Sequence, residues 1–241
     1  MVSRMTRRIL VALDFDHTIV EENSDIVARK LIHSDLIPDG VRRLYQTKGW
    51  TEYMSEIFKI LHKHKISKET IVEAMHNMTP TQKMPEFLKW LNKENHEAII
   101  ISDSNSVFID VWLRHRKLDE YIARVFTNPA SFNEDGLLLI KPYHEQDSCK
   151  LSTRNLCKGA ILEAYIKERQ EEEVLFDMVA YVGDGQNDLC PALRLSKDDV
   201  VFPRIGFTLD NILKKPKDEQ KVIARVRPWI SAAEFIPVLQ N

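Results

Sequence analysis

The sequence predicts an α/β fold, a parallel sheet flanked by helices, with a helical cap inserted after the first strand. Three short apolar runs, at Ile9–Leu13, 98–101 and 178–182, each stop at an acidic or hydroxyl cluster. Their length and β-branched content favour strands buried on both faces. Helical spacing fills the intervals between the later runs, as a strand–helix alternation requires. The stretch 26–79 keeps helical spacing throughout and offers no convincing strand.

In chain order, the first strand follows Arg7 and Arg8 and runs straight into Asp14. Its apolar run is too short for a signal segment or a membrane span, which leaves a sheet strand. In the inserted segment Trp50, Tyr53, Met54, Ile57, Phe58 and Leu61 recur at helical spacing, and Ile71, Val72 and Met75 continue the pattern. Such a stripe reads as the core of a helix bundle. The chain is expected to rejoin the sheet near Pro80 or Pro85, giving a core of 1–25 and 80–241 and a cap of 26–79. Val107, Phe108, Val111, Trp112 and His115 fit one helix, and Leu156, Ala160, Ile161, Ala164 and Tyr165 fit another. Asp135-Gly136 between apolar runs signals a hairpin turn within 125–142. The charged stretch 167–173 reads as a solvated helix end.

The 241 residues carry 34 Lys+Arg against 36 Asp+Glu, a net charge of −2 without a basic stripe, which argues against nucleic acid as a partner. A composition 44% hydrophobic supports one sizeable core and excludes disorder. The 7 glycines assemble neither G-x-G-x-x-G nor G-x-x-x-x-G-K-[ST], so any phosphate must be held largely by side chains and metal. Cys149, Cys157 and Cys190 form an odd set without C-x-x-C, as expected of reduced thiols in a cytoplasmic protein.

Chemistry concentrates where the strands end. Asp14-Phe-Asp16-His-Thr18 places two carboxylates at i and i+2, so that one can attack or bind metal while the other moves a proton. Gly183-Asp184-Gly-Gln-Asn-Asp188 offers a sharp turn and two more acids, the hard oxygen ligands magnesium takes. Ser102 and Lys158 could hold phosphoryl oxygens and offset their charge. Each also has a plain structural reading, Ser102 as a helix cap and Lys158 as a surface lysine. Order along the chain argues otherwise, since D-x-D-x-T, hydrophobic-Ser, Lys and G-D-x-x-x-D all fall at predicted strand ends or helix starts.

This order resembles the haloacid dehalogenase-like phosphohydrolases. The segments 14–25, 101–105, 142–144, 155–158 and 182–188 resemble their phosphoethanolamine/phosphocholine and pyridoxal-phosphate phosphatase subfamily over nearly the whole chain. The resemblance implies a Rossmann-like core, with Asp14 as the nucleophile of an aspartyl-phosphate and Asp16 as acid and then base. Asp14, the backbone carbonyl of Asp16, and Asp184 would hold Mg²⁺, with Asp188 orienting the metal shell and Ser102 and Lys158 gripping the phosphoryl group. Charge balance asks for the same cation, because a phosphate nearing so many acids is otherwise repelled. In the subfamily, the positions of Asp25 and Asp103 bind substrate. Acids there suit a cationic leaving group such as an aminoalcohol, choline or protonated pyridine, although both could instead be helix N-caps. His144 with Cys149 and Cys157 reads as packing and polar contacts rather than zinc. The substrate is then a small phosphorylated metabolite, with no membrane partner and with oligomeric state open. The competing readings are a phosphoserine or protein phosphatase on the same fold, and a non-catalytic aspartyl-phosphate switch. Against the switch stand the acid/base residue Asp16 and a cap of this size.

Overall fold

The computed structural model describes residues 7–47 and 49–241; residues 1–6, which the expected core includes, and Lys48 lie outside the described residues. β1 (Ile9–Leu13) is followed by α1 (Ser24–Arg29), α2 (Asp39–Thr47), α3 (Trp50–Lys63), α4 (Lys68–His76) and α5 (Met84–Lys93). β2 (Glu97–Asn105), α6 (Ser106–Arg116), β3 (Arg124–Asn128), β4 (Ala130–Phe132) and β5 (Leu138–Ile140) come next. The chain continues through α7 (Lys158–Glu171), β6 (Met178–Gly183), α8 (Leu189–Ala192), β7 (Val200–Pro203), α9 (Thr208–Lys214), β8 (Arg225–Val226) and α10 (Phe235–Gln240).

Six parallel strands pair in the order β3-β2-β1-β6-β7-β8. β1 is central because its five residues are apolar on both faces: Ile9, Val11 and Leu13 enter one hydrophobic cluster, while Leu10 and Ala12 enter the other. The chain order reverses between β1 and β6, the topological switch point outside whose carboxyl ends open α/β sheets place their ligands. Leu13 pairs with Val182 there, so Asp14 and Gly183 leave the sheet side by side.

β2 does not stop at Ile101 but runs on to Asn105 across a bulge between Ser102 and Asn105. The side-chain amide of Asn128 donates to the carbonyls of Asp103 and Ser104, replacing ladder bonds that the bulge breaks. Leu156 lies just before α7 rather than in it. The Asp135-Gly136 turn joins β4 to β5 as an antiparallel pair.

The inserted helices α1 to α4 bury the expected stripe, with Met54, Ile57, Phe58, Leu61, Ile71 and Met75 all inside. Their core is continuous with the sheet's, since one cluster runs from β1 through α6 into α3 and α4. Phe58 meets Phe108 edge to face at 5.7 Å, and the Trp112 indole donates to the carbonyl of Met78 at 3.1 Å. A bridge between Val20 and Pro80 brings together the two ends of the segment that carries α1 to α4, and the Thr81 hydroxyl donates to the carbonyl of Thr18. Among the described residues no helix is long and apolar enough to cross a membrane.

Candidate active site

Asp14, Lys158 and Asp188 form a buried line of charge at the switch point. Lys158 Nζ lies 2.8 Å from Asp14 Oδ2 and 2.7 Å from Asp188 Oδ1, and the lysine is fully buried. Lys158 is therefore not a surface lysine: the first turn of α7, held by buried Ile161, Leu162 and Tyr165, points it inward. Burial alone would lower its pKa, but the carboxylates of Asp14 and Asp188 more than reverse that and keep the ammonium charged. Asp188 spends every lone pair within the protein. Its Oδ1 also accepts from the Tyr181 hydroxyl at 2.6 Å, and its Oδ2 accepts the backbone N–H groups of Asp184 and Gly185. Gly183 makes room for this, because a Cβ on it would stand 2.5 Å from the Asp188 carboxylate.

Asp14 accepts the Phe15 N–H at 2.7 Å through its other oxygen. Burial lifts Asp14 to about 6, a rise held in check by Lys158. Asp184, also desolvated and facing the charges of Asp14 and Asp188, rises to about 8. Oxygens of Asp14, Asp184 and Asp188 lie within 4.8 Å of one another.

Asp16 is buried, and desolvation, followed by the charge of Asp25, pushes its pKa well above the carboxylate range. Ser24 orients it, the N–H donating to Oδ1 at 2.9 Å and the hydroxyl lying 3.1 Å from Oδ2. The Ser24 hydroxyl also bonds Ser104 Oγ, and the Ser104 N–H donates to Ser102 Oγ at 3.3 Å. Asp16 and Ser102 are thus linked through two serines. Ser102 is not a helix cap, a role that Asn105 fills by accepting the N–H of Phe108.

Asp25 and Asp103 are not caps either. Asn23 caps α1, while Asp25 sits within it, 2% exposed. Its Oδ2 accepts the indole N–H of Trp50, and its Oδ1 is buried without a partner. Desolvation dominates its rise to about 7, to which the charge of Asp103 adds. Asp103 gathers the loops around it, accepting from the Thr153 hydroxyl and from the side-chain amides of Asn155 and Asn187.

Sequence reasoning missed Ser24, Ser104, Tyr181 and the amides that hold Asp103. Tyr181 left a trace, a lone hydroxyl in an otherwise apolar strand, and Ser24, Ser104, Asn155 and Asn187 lie within the segments that carry the family resemblance. Trp50, read as bundle core, turns its N–H to Asp25 and packs against Tyr45 and Tyr53 with centroids 5.3 and 5.2 Å away. His144 Nε2 accepts the N–H of Cys157 at 2.9 Å, the polar contact expected of it.

The family model described as Putative Phosphatase matches residues 9–241. The chain is 36% identical over 236 residues to the pyridoxal phosphate phosphatase PHOSPHO2 of Mus musculus, covering 97% of this chain and 98% of that one. It is 33% identical over 246 residues to the phosphoethanolamine/phosphocholine phosphatase of Gallus gallus, covering 100% and 91%. Among solved structures, a substrate-bound phosphoserine phosphatase aligns with a TM-score of 0.61 at 17% identity over 96% of this chain and 98% of that one, a likeness of fold. The chain therefore belongs to the Putative Phosphatase family of haloacid dehalogenase-like proteins and is a phosphoric monoester hydrolase.

Proposed function

We propose that this chain is a Mg²⁺-dependent phosphomonoesterase that passes the phosphoryl group of a small metabolite through Asp14 to water, with a leaving group that carries positive charge. The observation that carries the mechanism is the buried line Asp14–Lys158–Asp188 at the switch point, with Asp16 two residues on and its pKa raised by burial and by the charge of Asp25.

The acids fit a hard divalent cation: their oxygens converge, and the pKa of Asp184 is raised by burial first and then by the negative charges of Asp14 and Asp188, which such an ion offsets. Asp14 and Asp184 keep lone pairs for it and the Asp16 carbonyl would join them, whereas Asp188 has none to spare and instead positions Lys158 and the 184–185 backbone. When bound, the cation offsets substrate charge and polarises the phosphoryl group.

A carboxylate oxygen of Asp14 attacks phosphorus, and the bond to the alcohol oxygen breaks as Asp16 gives that oxygen its proton. Asp16, now ionised, takes a proton from water whose oxygen attacks the aspartyl-phosphate. Inorganic phosphate leaves and Asp14 is regenerated. Lys158 and Ser102 hold phosphoryl oxygens throughout, and Ser24 keeps Asp16 aimed.

At the other end, the unpartnered Oδ1 of Asp25 is a buried acceptor for an ammonium or pyridinium, and the other oxygen of Asp25 is held by Trp50, whose ring packs against Tyr45 and Tyr53. The printed names of the relatives, pyridoxal phosphate phosphatase and phosphoethanolamine/phosphocholine phosphatase, fit such leaving groups. Phosphoserine adds a carboxylate to the leaving group, a negative charge that Asp25 and Asp103 would repel. Hydrolysis of phosphoethanolamine, phosphocholine, pyridoxal phosphate and phosphoserine with Mg²⁺ tests the reading. A cationic substrate without a carboxylate on its leaving group is expected to lead in kcat/KM, and preference for phosphoserine would reject it.

A further inference from the structure

Behind the catalytic cluster three thiols converge. Cys149 Sγ lies 3.4 Å from Cys190 Sγ, Cys157 Sγ lies 3.8 Å from Cys190 Sγ, and all three sulfurs fall within 4.8 Å of one another. A disulfide would bring two of them to about 2.05 Å, so these are free thiols. Three thiolates on one ion, with metal–sulfur bonds of about 2.3 Å and tetrahedral angles, stand about 3.8 Å apart. The site is close to that arrangement as folded.

Its surroundings are built to the same end. Ser152 Oγ lies 3.4 Å from Cys149 Sγ and 3.3 Å from Cys157 Sγ, making a fourth corner. The Arg194 guanidinium lies 3.9 Å from Cys157 Sγ, a positive charge beside sulfur. Gly159 lets Cys190 approach, since a Cβ there would stand 2.7 Å from its sulfur. Cys157 and Cys190 are buried while Cys149 is half-buried, which leaves one side for entry. His144 is not part of the set, its Nε2 being taken by the Cys157 N–H.

We propose that Cys149, Cys157 and Cys190 bind a zinc ion, with the Ser152 hydroxyl or a water in the fourth position. Binding releases one proton from each of the three thiols, and a divalent ion with three thiolates carries a single negative charge beside Arg194, whose guanidinium also pairs with Glu163. Cys157 precedes Lys158 directly, and Cys190 follows Asp188 by two residues. The ion therefore ties the start of α7 to α8 and braces the Lys158–Asp188 pair from behind, apart from the carboxylate site.

The full chain, stripped of metal, kept reduced and resupplied with Mg²⁺, is titrated with Co²⁺ and then Zn²⁺. One equivalent of Co²⁺ should raise an intense thiolate-to-cobalt charge-transfer band, and one equivalent of Zn²⁺ should remove it. Cys149→Ser and Cys190→Ala should each weaken binding more than about 100-fold. Circular dichroism and hydrolysis of p-nitrophenyl phosphate by Cys149→Ser report whether the fold survives. Carboxylates give no such band, so failure here is separate from failure of the phosphatase mechanism. No band in the reduced chain, or a band that persists in both variants, overturns the site.

Discussion

The two ends of the site are built differently. The phosphoryl end, Asp14 with Lys158, Asp184 and Asp188, hangs from the ends of β1 and β6 and the first turn of α7, and the Asp188 carboxylate is fully hydrogen-bonded. The leaving-group end, Asp25 with Asp103 and Trp50, draws on an inserted helix pair and the bulged end of β2, and leaves one buried carboxylate oxygen unpartnered. In the proposed mechanism the regular strand ends hold the chemistry shared by any phosphate ester, while helices outside the sheet and a strand end that leaves the regular ladder meet the part of the substrate that differs.

If that division holds, the largest losses come from the sheet end. Asp14→Asn should abolish turnover, by about 10⁴-fold or more, because an amide neither attacks phosphorus nor binds a cation well. Asp16→Asn should still be phosphorylated by p-nitrophenyl phosphate and release phosphate slowly, so that trapped phospho-enzyme accumulates. Lys158→Ala should also cost about 3 to 5 kcal/mol of stability, since it leaves the buried Asp14 and Asp188 unpaired. Near-normal turnover by Asp14→Asn would end the mechanism.

Next comes Gly183→Ala, which sets a methyl group 2.5 Å from the Asp188 carboxylate. Asp188 must then swing away from the N–H groups of Asp184 and Gly185. A fall of about 10- to 100-fold in kcat with the fold retained is expected from such displacement. Unchanged kinetics would show that Asp188 positions nothing.

The same contrast explains what was legible in the sequence. β1, β2 and β6 announced themselves because a strand buried on both faces must be apolar throughout, and the acids at their ends break that pattern abruptly. The helical stripe of α3 was equally plain. Partnerships across long separations were not: Ser24 with Asp16 is local enough to suspect, but Trp50 with Asp25 or Asn187 with Asp103 depends on packing that no local pattern encodes. β7 and β8, at four and two residues, and the short helices around them carry too little periodicity to assign.

A smaller effect is expected at the leaving-group end. Asp25→Asn keeps the shape of the side chain but removes its charge, and should lower kcat/KM for phosphoethanolamine by about 5- to 150-fold, or about 1 to 3 kcal/mol. It should leave p-nitrophenyl phosphate nearly unaffected, and Asp103→Asn should act in the same direction. Asp103 also holds Thr153, Asn155 and Asn187, so its loss should disturb both substrates somewhat more than that of Asp25. Equal effects of Asp25→Asn on the two substrates would refute amine recognition.

The smallest effect is on the pH dependence of stability, where the response to Mg²⁺ separates the two ends again. In the metal-free protein Asp14 is raised to about 6 and Asp184 to about 8, from an ordinary value of 3.8. Groups raised in this way hold protons that the unfolded chain has already released. Their contribution to stability is complete below about pH 4 and is lost as pH rises through the folded values. Mg²⁺ binds the ionised carboxylates, so its stabilisation should grow over the same interval. Thermal unfolding between pH 5.5 and 8.5 should therefore show Tm of the metal-free protein falling, and the gap opened by Mg²⁺ widening by about 2 to 5 °C. Asp184→Asn should flatten both trends, whereas Asp25→Asn should leave the Mg²⁺ gap in place, since Asp25 stands outside the cation site. Parallel curves with and without Mg²⁺ would mean that the crowded acids at the ends of β1 and β6 do not titrate against the metal.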